Sequence, residues 1–134
     1  MIGLDTNVLV RYVTADDPDQ AEEVRAKIER AEERGERLFV SGIVLCELVW
    51  VLRGRSYGYD KSEISRALEG FLDTHVFEIQ DRDLVRKALS RYRDGRADFS
   101  DYLLDLIHQD AGCSQTWTFD ARLGTADGFA RLAS

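Results

Sequence analysis

The chain has 134 residues, 44% of them hydrophobic, which is typical of one globular domain. Its 25 acidic and 18 basic residues leave a formal net charge of −7, which argues against nucleic-acid binding through overall positive charge. The cysteines Cys46 and Cys113 are far apart, no leader-like N-terminus is present, and the apolar runs are short. These features predict a cytoplasmic protein with two reduced thiols and no membrane span.

Strands and helices are predicted to alternate along the chain, which indicates an α/β fold with a parallel sheet. A buried strand at 2–4 is followed by a short helix. Further strands are predicted at 37–42, 75–80 and 115–119, with a last edge strand at 129–133. Further helices are predicted at 17–35, 43–54, 61–73, 81–95 and 98–112.

Asp5 stands at the junction between the first strand and the first helix. In open α/β sheets, ligands bind at this edge, beyond the carboxyl ends of the strands. The alternative is that Asp5 or Thr6 only caps the helix, a role that suits both residue types.

Glu47 is the only charged residue within the segment 43–52. At helical spacing, the apolar residues of this segment point in every direction, which predicts a buried helix. A carboxylate there needs a partner or a metal ion. The alternatives are a structural ion pair, for example with Arg53, or a helix that is hydrated at this one position.

Asp98, Asp101 and Asp105 are spaced to lie on one side of a late helix. Acids also favour a helix N-terminus, and a polar stripe is usually a solvated face, so Asp98 has a simple reading as the N-cap. Asp120 follows the strand at 115–119, where a turn or capping role is the alternative.

Taken together, these acids predict a pocket of oxygen ligands that suits Mg²⁺ or Mn²⁺. Zinc is disfavoured because His75 and His108 have no zinc-binding spacing. The chain also lacks the P-loop, GxGxxG and GxSxG motifs. An acidic magnesium pocket without a phosphate loop favours direct chemistry on phosphate esters.

Four segments of the chain resemble PIN-domain proteins, above all the VapC-type toxins of toxin–antitoxin pairs. They read GLDTNVLVRYVTADDPDQA, FVSGIVLCELVWVLRG, ADFSDYLLDLIHQDAGC and TWTFDARLG. The resemblance runs from the first strand to the last and implies a single PIN domain over 1–134. It implies a three-layer α/β/α fold, in which helices flank a parallel sheet of about five strands.

The resemblance also implies which residues act. Asp5, Glu47, Asp101 and Asp120 match the catalytic, metal-binding acids of the family, and Asp98 matches a further metal-binding acid of many members. The implied activity is Mg²⁺- or Mn²⁺-dependent cleavage of RNA, with water attacking phosphorus in line. Thr6, Asn7 and Thr118 either position these groups or cap helices, and Asp105 is expected to be peripheral.

Family members imply three partners, namely an RNA substrate, a cognate antitoxin protein and a second copy of the chain. One alternative is a PIN nuclease that serves RNA processing and is not a toxin. Another is a non-catalytic module that binds magnesium and a partner. A phospho-acceptor signalling domain is disfavoured, because no lysine follows the strand at 115–119.

Overall fold

The computed structural model describes residues 1–133, whose contacts define two compact units, 1–82 and Asp83 onward. The first unit contains three short strands, β1 (Ile2–Gly3), β2 (Leu38–Val40) and β3 (Phe77–Ile79). Its helices are α1 (Thr6–Thr14), α2 (Pro18–Arg34), α3 (Gly42–Arg53) and α4 (Lys61–Asp73). Two helices separate each pair of consecutive strands, in the order that the sequence predicts.

The strands of the first unit form a parallel sheet in the order β1-β2-β3. The register pairs Ile2 with Leu38, and Leu38 with Phe77. The prediction of a buried first strand is wrong, since Ile2 is 51% exposed. The physical reason is that β1 has only two residues and is an edge strand of this three-stranded sheet.

The core of the first unit lies between the sheet and its helices. Its side chains that are at most 1% exposed are Leu9, Val10, Val40, Leu45, Leu48, Val49, Leu52, Ile64, Leu68 and Phe77. Phe77 contacts the Phe71 ring edge-on, with centroids 5.0 Å apart, and lies 5.9 Å from the Tyr12 ring. These side chains anchor α1 and α3, the helices that carry the first candidate site residues.

Helix α3 differs from its prediction, because it is not buried on all sides. One face packs in the core through Leu45, Leu48 and Leu52, whereas Ile43 is 74% and Trp50 is 52% exposed. Glu47 lies on this exposed face. The apolar composition of the segment therefore does not imply burial, and Glu47 is not a lone charge in the core.

Local signals account for the helix ends. Asp17 caps α2 by accepting a hydrogen bond from the Gln20 amide, and Pro18 occupies the first helical position. Gly35 ends α2 in the left-handed region at φ 68°, where glycine avoids the strain of a side chain. Asp60 and Glu63 form a reciprocal capping box at the start of α4.

Asp16 links two loops of the first unit and provides a test of this arrangement. The Tyr57 hydroxyl donates to Asp16 Oδ2 at 2.6 Å, and the Thr14 hydroxyl donates to Oδ1 at 2.9 Å. These bonds, the one from Tyr57 first, lower the pKa of Asp16 below its ordinary value. Tyr57→Phe is expected to raise that pKa toward its ordinary value, as measured by carboxyl carbon NMR during a pH titration.

The sign of the effect on stability follows from the lowered pKa. Asp16 stabilises the fold above the pKa of the unfolded chain, and this contribution is lost as the pH falls through the folded-state pKa. Tyr59→Phe is the matched control, since the Tyr59 ring touches the Tyr57 ring but makes no hydrogen bond to Asp16. An unchanged Asp16 pKa in Tyr57→Phe would contradict the assignment.

The second unit contains most of α5 (Arg82–Asp94), together with α6 (Phe99–Asp110), β4 (Thr116–Thr118) and β5 (Phe129–Arg131). A single turn of 3-10 helix, Leu123–Thr125, lies between the two strands. The strands pair in parallel, with Thr116 opposite Phe129. The prediction of a last strand at the C-terminal end is thus confirmed.

The α/β class with parallel strands is confirmed. The arrangement of hydrogen bonds differs from the one sheet of about five strands that was predicted. Within residues 1–133 the ladders form a three-stranded and a two-stranded sheet. The strands have only two or three residues each, so every ladder is short.

Two further predictions concern the described chain as a whole. No helix within residues 1–133 is long and apolar enough to cross a membrane. Neither Cys46, which is half-buried, nor the exposed Cys113 forms a disulfide.

Candidate active site

Asp5 and Glu47 are connected through Thr6 in the first unit. Asp5 directly follows β1 and caps α1, with Oδ1 accepting a hydrogen bond of 2.8 Å from the Thr6 amide. The Thr6 hydroxyl donates to Glu47 Oε1 at 2.9 Å. The buried Thr6 therefore joins the cap of α1 to the middle of α3 and fixes the direction of the Glu47 carboxylate.

Asp5 therefore does cap α1, as the alternative reading of the sequence predicted. The cap uses only one carboxylate oxygen, and the other has no hydrogen bond among the described residues. The same holds for Glu47, whose bond from Thr6 uses Oε1 alone. Both carboxylates are exposed, so each presents an oriented oxygen to solvent.

Asp98 and Asp101 form a reciprocal capping box at the start of α6 in the second unit. The Asp98 amide donates to Asp101 Oδ2 at 3.0 Å, and the Asp101 amide donates back to the Asp98 side chain. The Phe99 amide also donates to Asp98 Oδ1, at 2.9 Å. Phe99 itself is fully buried, which anchors this turn. The two carboxylates are therefore held at one helix end in a defined orientation.

Asp120 lies in the connection between β4 and β5. Its Oδ1 accepts hydrogen bonds from the amides of Arg122 and Leu123, at 2.8 and 2.9 Å. Its own amide donates to the Thr118 hydroxyl at 3.1 Å. Asp120 thus shapes the turn that begins the 3-10 helix, and Thr118 helps to hold it.

The three candidate acids of the second unit, Asp98, Asp101 and Asp120, influence one another electrostatically. Partial burial is the largest cause that raises the pKa of Asp101 above its ordinary value, and the charges of Asp98 and Asp120 raise it further. Asp120 differs, since the amide of Leu123 is the main cause that lowers its pKa. The fold therefore holds like charges close together, an arrangement that a cation stabilises.

The donor chemistry of these acids suits a hard divalent cation, which binds carboxylate oxygens. Asp101 and Asp120 each keep one oxygen without a hydrogen bond from a described residue. Within residues 1–133, no three His, Cys, Asp or Glu side chains already form a group able to hold a metal ion.

Asp105 was expected to be peripheral to the metal site, which stays a prediction, but the reading of its helix face as solvated is wrong at this position. Asp105 is 0% exposed and forms an ion pair of 2.7 Å with Arg91. Its position in a row of acids on one helix face favoured a solvated site. The signal for its burial is Arg91 on the preceding helix, α5. The sequence does not show which acid Arg91 pairs with.

The comparisons with known proteins agree with this geometry. The family model described as PIN domain matches residues 2–127. The chain is 26% identical over 119 residues to a VapC ribonuclease of Aquifex aeolicus (strain VF5), covering 89% of this chain and 87% of that protein. Because the family match extends over nearly the whole sequence and includes every candidate acid, the chain belongs to the PIN domain family.

Proposed function

We propose that this protein is a VapC-type endoribonuclease that hydrolyses RNA phosphodiester bonds with the help of Mg²⁺ or Mn²⁺. The observation that carries the proposal is the set of oriented acids in the second unit, where backbone amides hold Asp101 and Asp120. Partial burial and then the charges of Asp98 and Asp120 raise the pKa of Asp101. The family match and the VapC relative support the reaction type. Since the match continues through both units, we also propose that residues 1–134 form a single PIN domain.

We propose that the metal ligands are Asp5, Glu47, Asp98, Asp101 and Asp120. Asp5, Glu47, Asp101 and Asp120 are proposed as the catalytic set, by their match to the family motifs. These carboxylates would hold the divalent ion, which would supply activation of water and stabilisation of the charge on the phosphate. The chain orients the acids beforehand, so little further ordering is needed when the ion binds.

Neutral groups of the chain orient three of the proposed metal ligands through hydrogen bonds. The Thr6 hydroxyl holds Glu47, and the Asp98 amide holds Asp101. The amides of Arg122 and Leu123 hold Asp120. Each bond occupies one carboxylate oxygen and leaves the other for a cation.

The proposed partners are an RNA substrate, an antitoxin protein that inhibits the enzyme, and a second copy of the chain in a homodimer. The VapC relative supports the first two, and the resemblance of the motifs supports all three. A basic antitoxin segment suits the carboxylates, because arginine forms paired hydrogen bonds with them. We propose the cytoplasm as the site of action, where the RNA substrate is present.

The test is RNA cleavage by the purified, antitoxin-free protein on structured and single-stranded RNAs. Cleavage is expected with Mg²⁺ or Mn²⁺, and it should stop in EDTA and in Asp5→Asn. Asparagine at position 5 still caps α1, so the variant separates catalysis from folding. A wild-type protein that binds Mn²⁺ but cleaves no RNA of the panel would contradict the proposal and favour a non-catalytic binding module.

Thr6 offers a second test of the proposed site. Thr6→Val keeps the side-chain shape and removes the hydroxyl that donates to Glu47. We expect the apparent Mg²⁺ affinity to fall about tenfold, the usual cost of losing a group that orients a metal ligand. The measurement is cleavage rate against Mg²⁺ concentration, with Thr6→Ser as the control that keeps the hydroxyl. Equal Mg²⁺ dependence in both variants would contradict this role.

A further inference from the structure

A polar cluster around the buried Asp105 in the second unit joins α5 and α6 to the segment before β5. Arg91 Nη1 donates to Asp105 Oδ2 at 2.7 Å, and Arg91 Nη2 donates to the Asp127 carbonyl at 2.8 Å. Gln109 Nε2 also donates to Asp105 Oδ2, at 2.7 Å. We call these residues, together with Gly128, the Arg91 clamp.

The clamp is built closely around the Asp105 carboxylate. Asp105 is 0% exposed, and its Oδ1 has no hydrogen-bond partner within residues 1–133. A Cβ at Gly128 would overlap the carboxylate, and Gly128 has a φ of 88°. Only glycine combines this backbone conformation with such a close approach. The guanidinium of Arg91 also lies over the Tyr102 ring, 4.8 Å from its centroid.

An ion pair with a buried carboxylate is costly to assemble, because Asp105 loses its hydration while Arg91 stays partly exposed. Apolar residues of similar size usually fill such a space with no loss of stability. The distinctive effect of this ion pair is therefore the geometry that it imposes on the elements it joins, and not added stability. The fork of Arg91 reaches a carboxylate on α6 and a backbone carbonyl before β5 at the same time, which a single apolar side chain does not do.

The two elements that the clamp joins carry the acids of the proposed site. Asp105 lies one helical turn after Asp101 on α6. Asp127 and Gly128 end the connection that carries Asp120 after β4. The Gly128 carbonyl accepts a hydrogen bond of 2.8 Å from the Thr116 amide, which ties the clamp to the start of β4 as well.

We propose that Arg91 and Asp105 are positioning residues that set the separation between Asp101 and Asp120, and thereby the affinity for the divalent ion. The inference rests on the proposed function, since it assumes that these two acids bind that ion. Asp105 touches neither the ion nor the RNA in this scheme. Its carboxylate orients Arg91, and Arg91 holds the segment that leads back from Asp120.

The experiment measures Mn²⁺ binding directly, by the loss of the free-ion EPR signal, in the full chain without RNA. Asp105→Asn keeps the side-chain shape and weakens the attraction to Arg91. We expect Mn²⁺ affinity to fall about tenfold, while cleavage recovers at saturating Mn²⁺. Asp110→Asn is the matched control, since it removes one negative charge from an exposed position at the end of α6. It is expected to bind Mn²⁺ as the wild type does.

A second comparison separates positioning from a general loss of order. In an Asp120→Asn background, Asp105→Asn is expected to cause little further loss of Mn²⁺ affinity, because the ligand that the clamp positions is already absent. A tenfold loss in both backgrounds would overturn the proposal. So would wild-type Mn²⁺ affinity in a folded Asp105→Asn protein, which would leave the clamp with a purely structural role.

Thermal melting checks whether each variant is folded at the assay temperature. If Asp105→Asn is unfolded there, Arg91→Lys replaces it, because lysine keeps the charge but has no fork to hold Asp105 and Asp127 together. For Arg91→Lys we expect the Mn²⁺ affinity to fall about threefold, and wild-type affinity would overturn the proposal. If Asp101→Asn binds Mn²⁺ with wild-type affinity, the proposed site and this inference are both overturned. Failure of the clamp variants alone affects only the inference.

Discussion

Asp101→Asn is expected to reduce RNA cleavage at least ~100-fold while the protein stays folded, because a ligand that supports the charged transition state loses its own charge. The substitution is nearly isosteric. Its side-chain oxygen still accepts the hydrogen bond from the Asp98 amide, which is 3.0 Å long in the structure. The capping box at the start of α6 therefore survives. Initial rates in Mg²⁺ and a melting curve measure the two quantities separately.

Asp110→Asn is the matched control for this prediction. Asp110 is exposed and ends the same helix, so the substitution removes one negative charge at the opposite terminus. Its cleavage rate is expected to stay within about twofold of the wild type, since surface changes away from a site have small effects. Similar losses in both variants would show that net charge, and not the position of Asp101, governs cleavage.

The largest expected loss of stability comes from Phe77→Ala. Phe77 is 0% exposed in β3 and packs edge-on against Phe71, with ring centroids 5.0 Å apart. Removing the ring leaves a cavity in the core of the first unit, so the free energy of unfolding should fall by about 3–5 kcal/mol. That is a large part of the total stability of an ordinary domain. Urea unfolding followed by circular dichroism measures the change.

Phe119→Ala makes the same chemical change at an exposed ring. Phe119 is 63% exposed, so its truncation is expected to alter the free energy of unfolding by no more than ~0.5 kcal/mol. A loss near that of Phe77→Ala would contradict the assignment of the core to the side chains around β3.

Much of the fold follows from local patterns in the sequence. The helix α2 begins with Asp17 and Pro18 and ends at Gly35, as the order of these residues predicts. The strand at Thr116–Thr118 and its partner at Phe129–Arg131 also lie inside their predicted segments. Such elements depend on neighbours within a few residues, and those neighbours are visible in the sequence.

The candidate acids also follow from local sequence patterns, since Asp5 and Asp120 follow strands. Asp98 and Asp101 begin a helix. Their capping bonds confirm these positions. The metal role of each acid stays a prediction that the proposed variants test. The sequence also left Thr6 with two equal roles, and the contact with Glu47 across 41 residues favours positioning.

The sequence by itself determined the order of helices and strands, the helix caps and the PIN family motifs, because these depend on local chemistry. Only the tertiary structure decided that Glu47 lies on an exposed face of α3 and that Asp105 is buried. Burial depends on which elements pack together. Asp105 is stable inside because Arg91, 14 residues earlier, and Gln109 meet its carboxylate there. Periodicity identifies the face of a helix but not the partner that covers it.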